Sequence, residues 1–267
     1  MITFNRLGTY GRFGNQMFQY ATLFAIGKRK NCEIGVPYSN NQNVNEYYKF
    51  FLPECFKNLS AKNSINSNPK YFIQENKFNY EPGIFGIPDE SDILGYFQTE
   101  KYFKDYRNEI LKEYTFRQDI LESALDARSI TKEPVISLHV RLGDYTAPES
   151  KDRHPVCSIE YYEKALSLVP DDLLIYIFSD EPAVAENMIK SLGKKYVIPE
   201  MNCMYKDMSL MSMCDYHIIA NSSFSWWGAW LSETKKVIAP AQWFGNHNSM
   251  PKDWSDIYCI DWLIVEE

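Results

Sequence analysis

A chain of 267 residues with 45% hydrophobic composition carries enough apolar matter for one large domain or two modest ones with real cores. Its formal net charge of −7 argues against a broad basic surface for nucleic acid, so any bound phosphate must meet a few placed Arg, Ser and backbone N–H groups. Aromatic content of 15% (19 Tyr, 16 Phe, 6 Trp) in part fills cores, and the remainder is compatible with a cleft that stacks flat rings on sugars, which composition alone does not show. No apolar run approaches the roughly 18 residues of a membrane span, and the start MITFNRLGTYGRFG has no signal-peptide pattern. The cysteines Cys32, Cys55, Cys157, Cys203, Cys214 and Cys259 are scattered without a Cys-x-x-Cys pair. Reduced thiols in a cytoplasmic protein are the expectation, with peripheral membrane contact left open. Asn58-Leu59-Ser60 and Asn221-Ser222-Ser223 match the glycosylation sequon, and both read as chance matches.

The first predicted element is a strand over Ile2 to Leu7. A glycine-bearing turn follows, then an apolar helix from about Gln16 to Lys28, with Met17, Phe18, Ala21, Phe24 and Ala25 on one side. From Tyr38 to Glu90 periodicity is weak, and Asn58 to Lys70 reads as loop. A helical segment covers Glu100 to Leu125, and the polar break at Ser129 to Glu133 places a domain boundary between 1–132 and 133–267. The second half alternates. Val135 to Val140, Leu173 to Phe178, Tyr196 to Ile198, His217 to Ala220 and Lys236 to Ala239 are short apolar runs of the buried-strand kind. Between them lie a helix capped by Ser158, one over Pro182 to Leu192, and one starting near Asp207. Such alternation implies an α/β domain with a parallel sheet, which binds ligands at the carboxyl ends of its strands.

Three turns of this kind carry candidate chemistry. In HVRLGDY (His139 to Tyr145) the two-residue period projects His139 and Arg141 together at a strand end, and Gly143 permits a turn that brings Asp144 near. A guanidinium there suits bidentate pairing with a phosphate, or a buried Arg–Asp pair that only holds the fold. In IIANSSFSWWGAW (Ile218 to Trp230), Ser222 and Ser223 open a helix whose free N–H groups and dipole favour an anion, or simply cap it. The third, GTYGRFGNQMFQYA (Gly8 to Ala21), matches neither common phosphate-loop pattern, and Asn15 there contacts a ligand or caps the helix. Asp180, ending LLIYIFSD, reads as an N-cap, and Asp207 stands before its helix. No Asp-x-Asp occurs, the four histidines lack paired spacing, and no Gly-x-Ser-x-Gly elbow is present, so metal and serine-hydrolase chemistry are disfavoured.

The blocks GRFGNQMFQYA, HVRLGDY, YIFSDE (Tyr176 to Glu181) and DMSLMSMCDYHIIANSSFSWWGAWL (Asp207 to Leu231) together resemble the bacterial α-1,2-fucosyltransferases of glycosyltransferase family 11. The resemblance implies a GT-B-type fold of two Rossmann-like halves with a cleft between them. It implies inverting transfer from GDP-β-L-fucose to the 2-hydroxyl of a galactose, with no cofactor and no metal. Its partners are then GDP-fucose and a galactoside acceptor, the latter held mainly by residues 1–132 and the donor by 133–267. By the same resemblance Arg141 holds the β-phosphate with support from His139. Ser222, Ser223, Phe224 and Asp180 line the donor site, Asp207 accepts from the guanine edge, and Gly14 and Asn15 approach from the other half. Leu142 stands where the family often has a second Arg. The base that takes the acceptor proton is open among Asp144, Glu149 and His154, since an acid held by a guanidinium makes a poor base. Two other readings remain at this stage: a different nucleotide-sugar or acceptor, and a non-catalytic nucleotide- or carbohydrate-binding protein.

Overall fold

A computed structural model of the chain describes residues 1–38, 49–234 and 236–266. Residues 39–48, part of the weakly patterned Tyr38 to Glu90 stretch, lie outside the described residues. The chain forms two compact units: Met1–Arg117 with Asp253–Cys259, and Gln118–Lys252 with Ile260–Glu267.

The first unit holds β1 (Ile2–Thr3), α1 (Phe13–Lys30), β2 (Ile34–Val36), α2 (Leu52–Cys55), β3 (Lys62–Asn63), β4 (Tyr71–Gln74), β5 (Ser91–Leu94) and α3 (Arg107–Glu113). Its sheet is parallel, in the order β3-β2-β1-β5-β4. The expected strand to Leu7 stops at Thr3, where the Asp92 carboxylate takes both the Thr3 hydroxyl (2.7 Å) and the Asn5 N–H (2.8 Å). Helix α1 is buried from Phe13 through Gly27 apart from Asn15, the profile of a helix inside a core rather than on one face of it. The expected helix over Glu100 to Leu125 is broken. Tyr114 is pulled inward, its hydroxyl donating to the Met17 carbonyl at 2.6 Å, and Phe116 bridges to Phe56. Asp253–Cys259 joins this unit through hydrogen bonds from Asn79 to Asp253 (2.7 Å) and from the Tyr80 N–H to Asp256 (2.9 Å), and through a Lys101–Asp256 ion pair.

The second unit starts with α4 (Gln118–Arg128), so the division falls at 117/118 rather than at the polar break near 132. Helix α4 belongs here because Ala124 packs with Val135, Tyr176, Leu210 and Met211. Then follow β6 (Val135–Val140), α5 (Ile159–Leu166), β7 (Leu174–Ser179), α6 (Pro182–Lys190), β8 (Tyr196–Val197), α7 (Met204–Met211), β9 (Tyr216–Ile218), α8 (Ser223–Trp230), β10 (Lys236–Pro240) and β11 (Leu263–Val265). The six strands are parallel, in the order β11-β10-β9-β6-β7-β8. Alternate residues go to opposite faces. Ile136, Leu138, Val140, Ile175 and Ile177 pack with α5 and α6, whereas Val135, Tyr176 and Phe178 pack with α4 and α7. Burial on both faces explains why these strands read as unbroken apolar runs. Ser158 caps α5 by accepting the Tyr161 N–H at 3.2 Å, as its position predicts. From β6 the chain runs outward through β7 and β8, then returns to the other side of β6 as β9. The carboxyl ends of β6 and β9 thus flank the point where the winding reverses, where open α/β sheets take their ligands. Among the described residues, no helix is long and apolar enough to cross a membrane and no disulfide joins the six cysteines.

Candidate active site

The two segments that meet at this reversal are HVRLGDY and the start of α8. His139, on the last turn of the pleat in β6, is 4% exposed and lies on the face opposite Leu138 and Val140. Its Nδ1 is 2.9 Å from Ser225 Oγ, and its ring lies 5.8 Å from that of Phe224, both on α8. The His139 carbonyl accepts from the buried Tyr162 hydroxyl at 2.9 Å, which fixes the strand end from the other face. Burial first, then the neighbouring Arg141, pushes the His139 pKa down to about 3, so the imidazole is uncharged at any physiological pH.

Two residues on, the Arg141 guanidinium is held by two carboxylates. Nη1 lies 2.7 Å from Asp180 Oδ2, and Nη2 donates to Asp144. The Tyr145 ring lies 5.1 Å from the guanidinium carbon, near enough for cation–π attraction, and its hydroxyl donates to the Asn221 carbonyl at 3.2 Å. Asp180 therefore does not cap α6, whose N-cap is Glu181. Its second oxygen accepts the Leu142 N–H at 3.0 Å, so one carboxylate ties the backbone of the turn to the side chain of the arginine. This bracing needs Gly143. A Cβ there would lie 2.2 Å from Asp180 Oδ2, and the residue has φ +29°. Leu142, in place of the family's frequent second arginine, is 5% exposed and packs into the hydrophobic cluster beneath β6.

Helix α8 begins with Ser222 as N-cap, its hydroxyl accepting the Phe224 N–H at 3.3 Å. Ser223 and Phe224 follow, both partly exposed in the first turn. Asn221 has structural employment, donating to the Pro155 carbonyl at 2.8 Å and the Trp243 carbonyl at 3.1 Å. Trp226, Trp227 and Trp230 are core. Asp207 lies inside the first turn of α7, whose N-cap is Cys203. Its carboxylate makes no hydrogen bond or ion pair with a described residue, and burial alone pushes its pKa up to about 7. A half-buried acid held without a partner suits a ligand that brings N–H donors to it. Glu149 is exposed and its side chain contacts none of these groups. His154 stacks on Tyr145, ring centroids 4.8 Å apart.

In the first unit, the carboxyl ends of β1 and β5 carry their own polar set. Asn15, in the first turn of α1 beside the buried Gly14, accepts from Gln98 Nε2 at 2.6 Å and does not cap the helix, whose N-cap is Arg12. Gly11, at φ +90°, allows Asn15 to sit where a Cβ would come within 2.7 Å of it. The buried Gln19 donates to the carbonyls of Tyr10 (2.8 Å) and Gly95 (3.0 Å), fastening the two loops together.

Sequence reading thus places His139, Arg141, Asp144, Ser222, Ser223 and Phe224 at one end of the second sheet, and the structure brings them together. It misses Ser225, which reads as part of an aromatic helix, and Tyr145. The period of α8 puts Ser225 one turn on from Ser222, the signal that could have found it.

The profile of glycosyl transferase family 11 matches residues 2–266. The O-antigen biosynthesis glycosyltransferase WbnK of Escherichia coli is 37% identical, the match covering 89% of this chain and 94% of that protein. An α-1,2-colitosyltransferase of Escherichia coli is 29% identical, with 91% and 95% covered. Galactoside α-(1,2)-fucosyltransferase 2 of Rattus norvegicus is 26% identical, with 87% and 67% covered. The crystal structure of fucosyltransferase NodZ from Bradyrhizobium superposes with a TM-score of 0.57 at 14% identity, covering 86% of this chain and 93% of that one. POFUT1 in complex with GDP superposes at 0.53 and 14% identity, with 89% and 96% covered. The fold is accordingly of GT-B type, two parallel-sheet α/β halves, as the motifs implied. A match over nearly the whole chain, with its motif blocks at the strand ends of such a fold, makes this protein a member of glycosyltransferase family 11.

Proposed function

We propose that this enzyme transfers L-fucose from GDP-β-L-fucose to the 2-hydroxyl of a terminal galactose, with inversion and without a metal ion. The observation that carries the reading is the Arg141 guanidinium at the reversal point of the second sheet, beside an uncharged His139 and the N-terminus of α8. In this reaction the acceptor oxygen forms a bond to the anomeric carbon, the bond from that carbon to the β-phosphate oxygen breaks, and GDP leaves with the electron pair. The leaving diphosphate gains charge as the bond breaks, and a fixed cation with first-turn N–H groups is what stabilises such charge without water. Arg141 takes the β-phosphate, Ser222, Ser223 and Phe224 line the diphosphate, and Asp207 accepts from guanine N1–H and its exocyclic amine. Gly14 and Asn15 are further proposed donor contacts, carried by the first unit. Asp144 accepts the acceptor proton. Its place next to Arg141, where the donor phosphate would compete for that guanidinium and free the carboxylate, favours it over the exposed Glu149 and over His154, which lies against Tyr145.

The relatives support the linkage more firmly than the sugar, because an α-1,2-colitosyltransferase and a galactoside α-(1,2)-fucosyltransferase are both similar to this chain. Incubation with GDP-fucose, GDP-colitose, GDP-mannose and UDP-galactose against a galactoside panel, with and without EDTA, tests both points. Linkage analysis of the product should show an α-1,2-fucosyl galactoside formed equally with chelator present. Transfer only from another donor, or GDP binding with no transfer at all, would overturn the reading.

A further inference from the structure

The His139–Ser225 contact bears on how the imidazole acts. An uncharged histidine donates from only one ring nitrogen, and the partner of the other nitrogen decides which. Ser225 is 1% exposed, so its single hydroxyl proton must go to a protein acceptor. Three lie near: His139 Nδ1 at 2.9 Å, and the carbonyls of Ala220 and Ser222, each at 3.4 Å. Both carbonyls already accept shorter backbone bonds, Ala220 from the Ser222 N–H at 2.7 Å and Ser222 from the Trp226 N–H at 3.0 Å. At 3.4 Å an O–H···O bond is far beyond its optimum, so the proton is best placed on the line to Nδ1. Nδ1 is then an acceptor and Nε2 carries the hydrogen. Nε2 makes no hydrogen bond to a described residue, so that N–H is left for a ligand.

We propose that Ser225 is a positioning residue that holds His139 in the Nε2–H form, giving the site a permanent donor aimed at the departing diphosphate. The inference rests on the donor-site reading above. In the opposite tautomer Nε2 would present a lone pair to the anion and repel it. Burial and Arg141 keep the ring uncharged, so the hydroxyl contact, rather than a second proton, must make Nε2 a donor. The device supplies a hydrogen bond without adding a second cation that would hold the product GDP after reaction.

The test begins on the unaltered protein. Long-range proton–nitrogen spectra of the ¹⁵N-histidine-labelled chain at pH 7, with and without GDP, report which His139 nitrogen bears hydrogen. A protonated Nε2 with an unprotonated Nδ1 is expected in both, and a protonated Nδ1 overturns the proposal. Ser225→Ala should release a mixture of tautomers and lower kcat on the order of tenfold, with the KM for acceptor unchanged. Ser225→Thr, which keeps the hydroxyl, should restore the wild-type nitrogen pattern. If S225A keeps both the Nε2–H pattern and full kcat, Ser225 does not set the tautomer. GDP titration by calorimetry separates this from the donor-site reading: a wild-type protein that ignores GDP refutes that reading, whatever the tautomer.

Discussion

Asp180 offers the sharpest quantitative test, because one carboxylate makes two separable contacts. Its side chain is 27% exposed and that of Arg141 is 16%, so solvent screens their 2.7 Å contact only in part. A hydrogen bond between charged groups in such a setting contributes about 1.5–3 kcal/mol. Asp180→Asn keeps an oxygen for the Leu142 N–H but turns an N–H₂ group, or an uncharged oxygen, toward the arginine. In the donor complex the diphosphate takes over the side of the guanidinium that Asp144 releases, so the loss of Arg141 positioning should be about 1.5–2 kcal/mol, or roughly 10- to 30-fold in kcat. Asp180→Ala additionally strands the Leu142 N–H, which costs a further ~1–3 kcal/mol in stability. At about 2–4 °C per kcal/mol for a domain of this size, D180A should melt several degrees below D180N. Gly143→Ala pushes the same carboxylate aside, since its Cβ would sit 2.2 Å from Oδ2, and should resemble D180N kinetically. Transfer kinetics and thermal unfolding on all three variants decide the matter. A D180N enzyme within twofold of wild-type kcat would refute the claim that Asp180 sets the arginine.

Two further outcomes follow from the same end of the sheet. Arg141→Ala should lower turnover by on the order of 10²-fold or more while leaving the fold intact by circular dichroism, because in the proposed role the charge it opposes develops in the transition state. Under the proposed role Asp207, with a pKa pushed up to about 7, accepts from guanine only when ionised, so GDP affinity should fall about tenfold between pH 8 and pH 6, and Asp207→Asn should abolish that dependence along with most of the affinity. The sign for stability is opposite: the unfolded chain releases this proton at lower pH than the folded one, so folding loses stability as pH rises toward about 7, and D207N should melt higher than wild type at pH 8.

How far the sequence foretold this depends on burial. VISLHV and LIYIFS read as strands because both faces of β6 and β7 are packed, and the Ser158 cap reads correctly because capping is local. The strands β3 and β4 are exposed almost throughout, so neither alternation nor an apolar run marks them. Their existence depends on pairing with β2 and β5, distant in the chain. The break at Tyr114 to Phe116 is likewise tertiary, set by Met17 and Phe56. Asp180 stands just before Glu-Pro at a helix start, where an N-cap is the local expectation. That expectation fails because Arg141, placed by the β6–β7 register that pairs Val140 with Ser179, competes for the carboxylate with a full charge. Motif blocks mark the candidate residues, and strand order explains why those of the second sheet lie together.

The paired acids raise a question about how Arg141 can serve a diphosphate at all. Two carboxylates around one guanidinium leave the cage net negative, so an incoming diphosphate must displace or outcompete one of them. Asp180 is anchored by the Leu142 N–H and the less exposed of the two, whereas Asp144 is 46% exposed on a short helical turn. On the proposed donor-site reading Asp144 is therefore the one that yields, which would free its carboxylate where that reading needs a base. Asp144→Asn should then act in opposite directions on binding and chemistry. GDP should bind about two- to fivefold more tightly, the modest gain expected from removing a half-exposed competing ion pair. Turnover should fall by on the order of 10²-fold or more, as the proton acceptor is gone. Calorimetry with GDP and single-turnover transfer on one preparation measure both. Weaker GDP binding would mean that Asp144 holds the arginine in place for the donor rather than competing with it. Unchanged turnover would move the base to Glu149 or His154, and if it is Glu149 the E149Q variant should lose the acidic limb of the pH–rate profile that D144N retains.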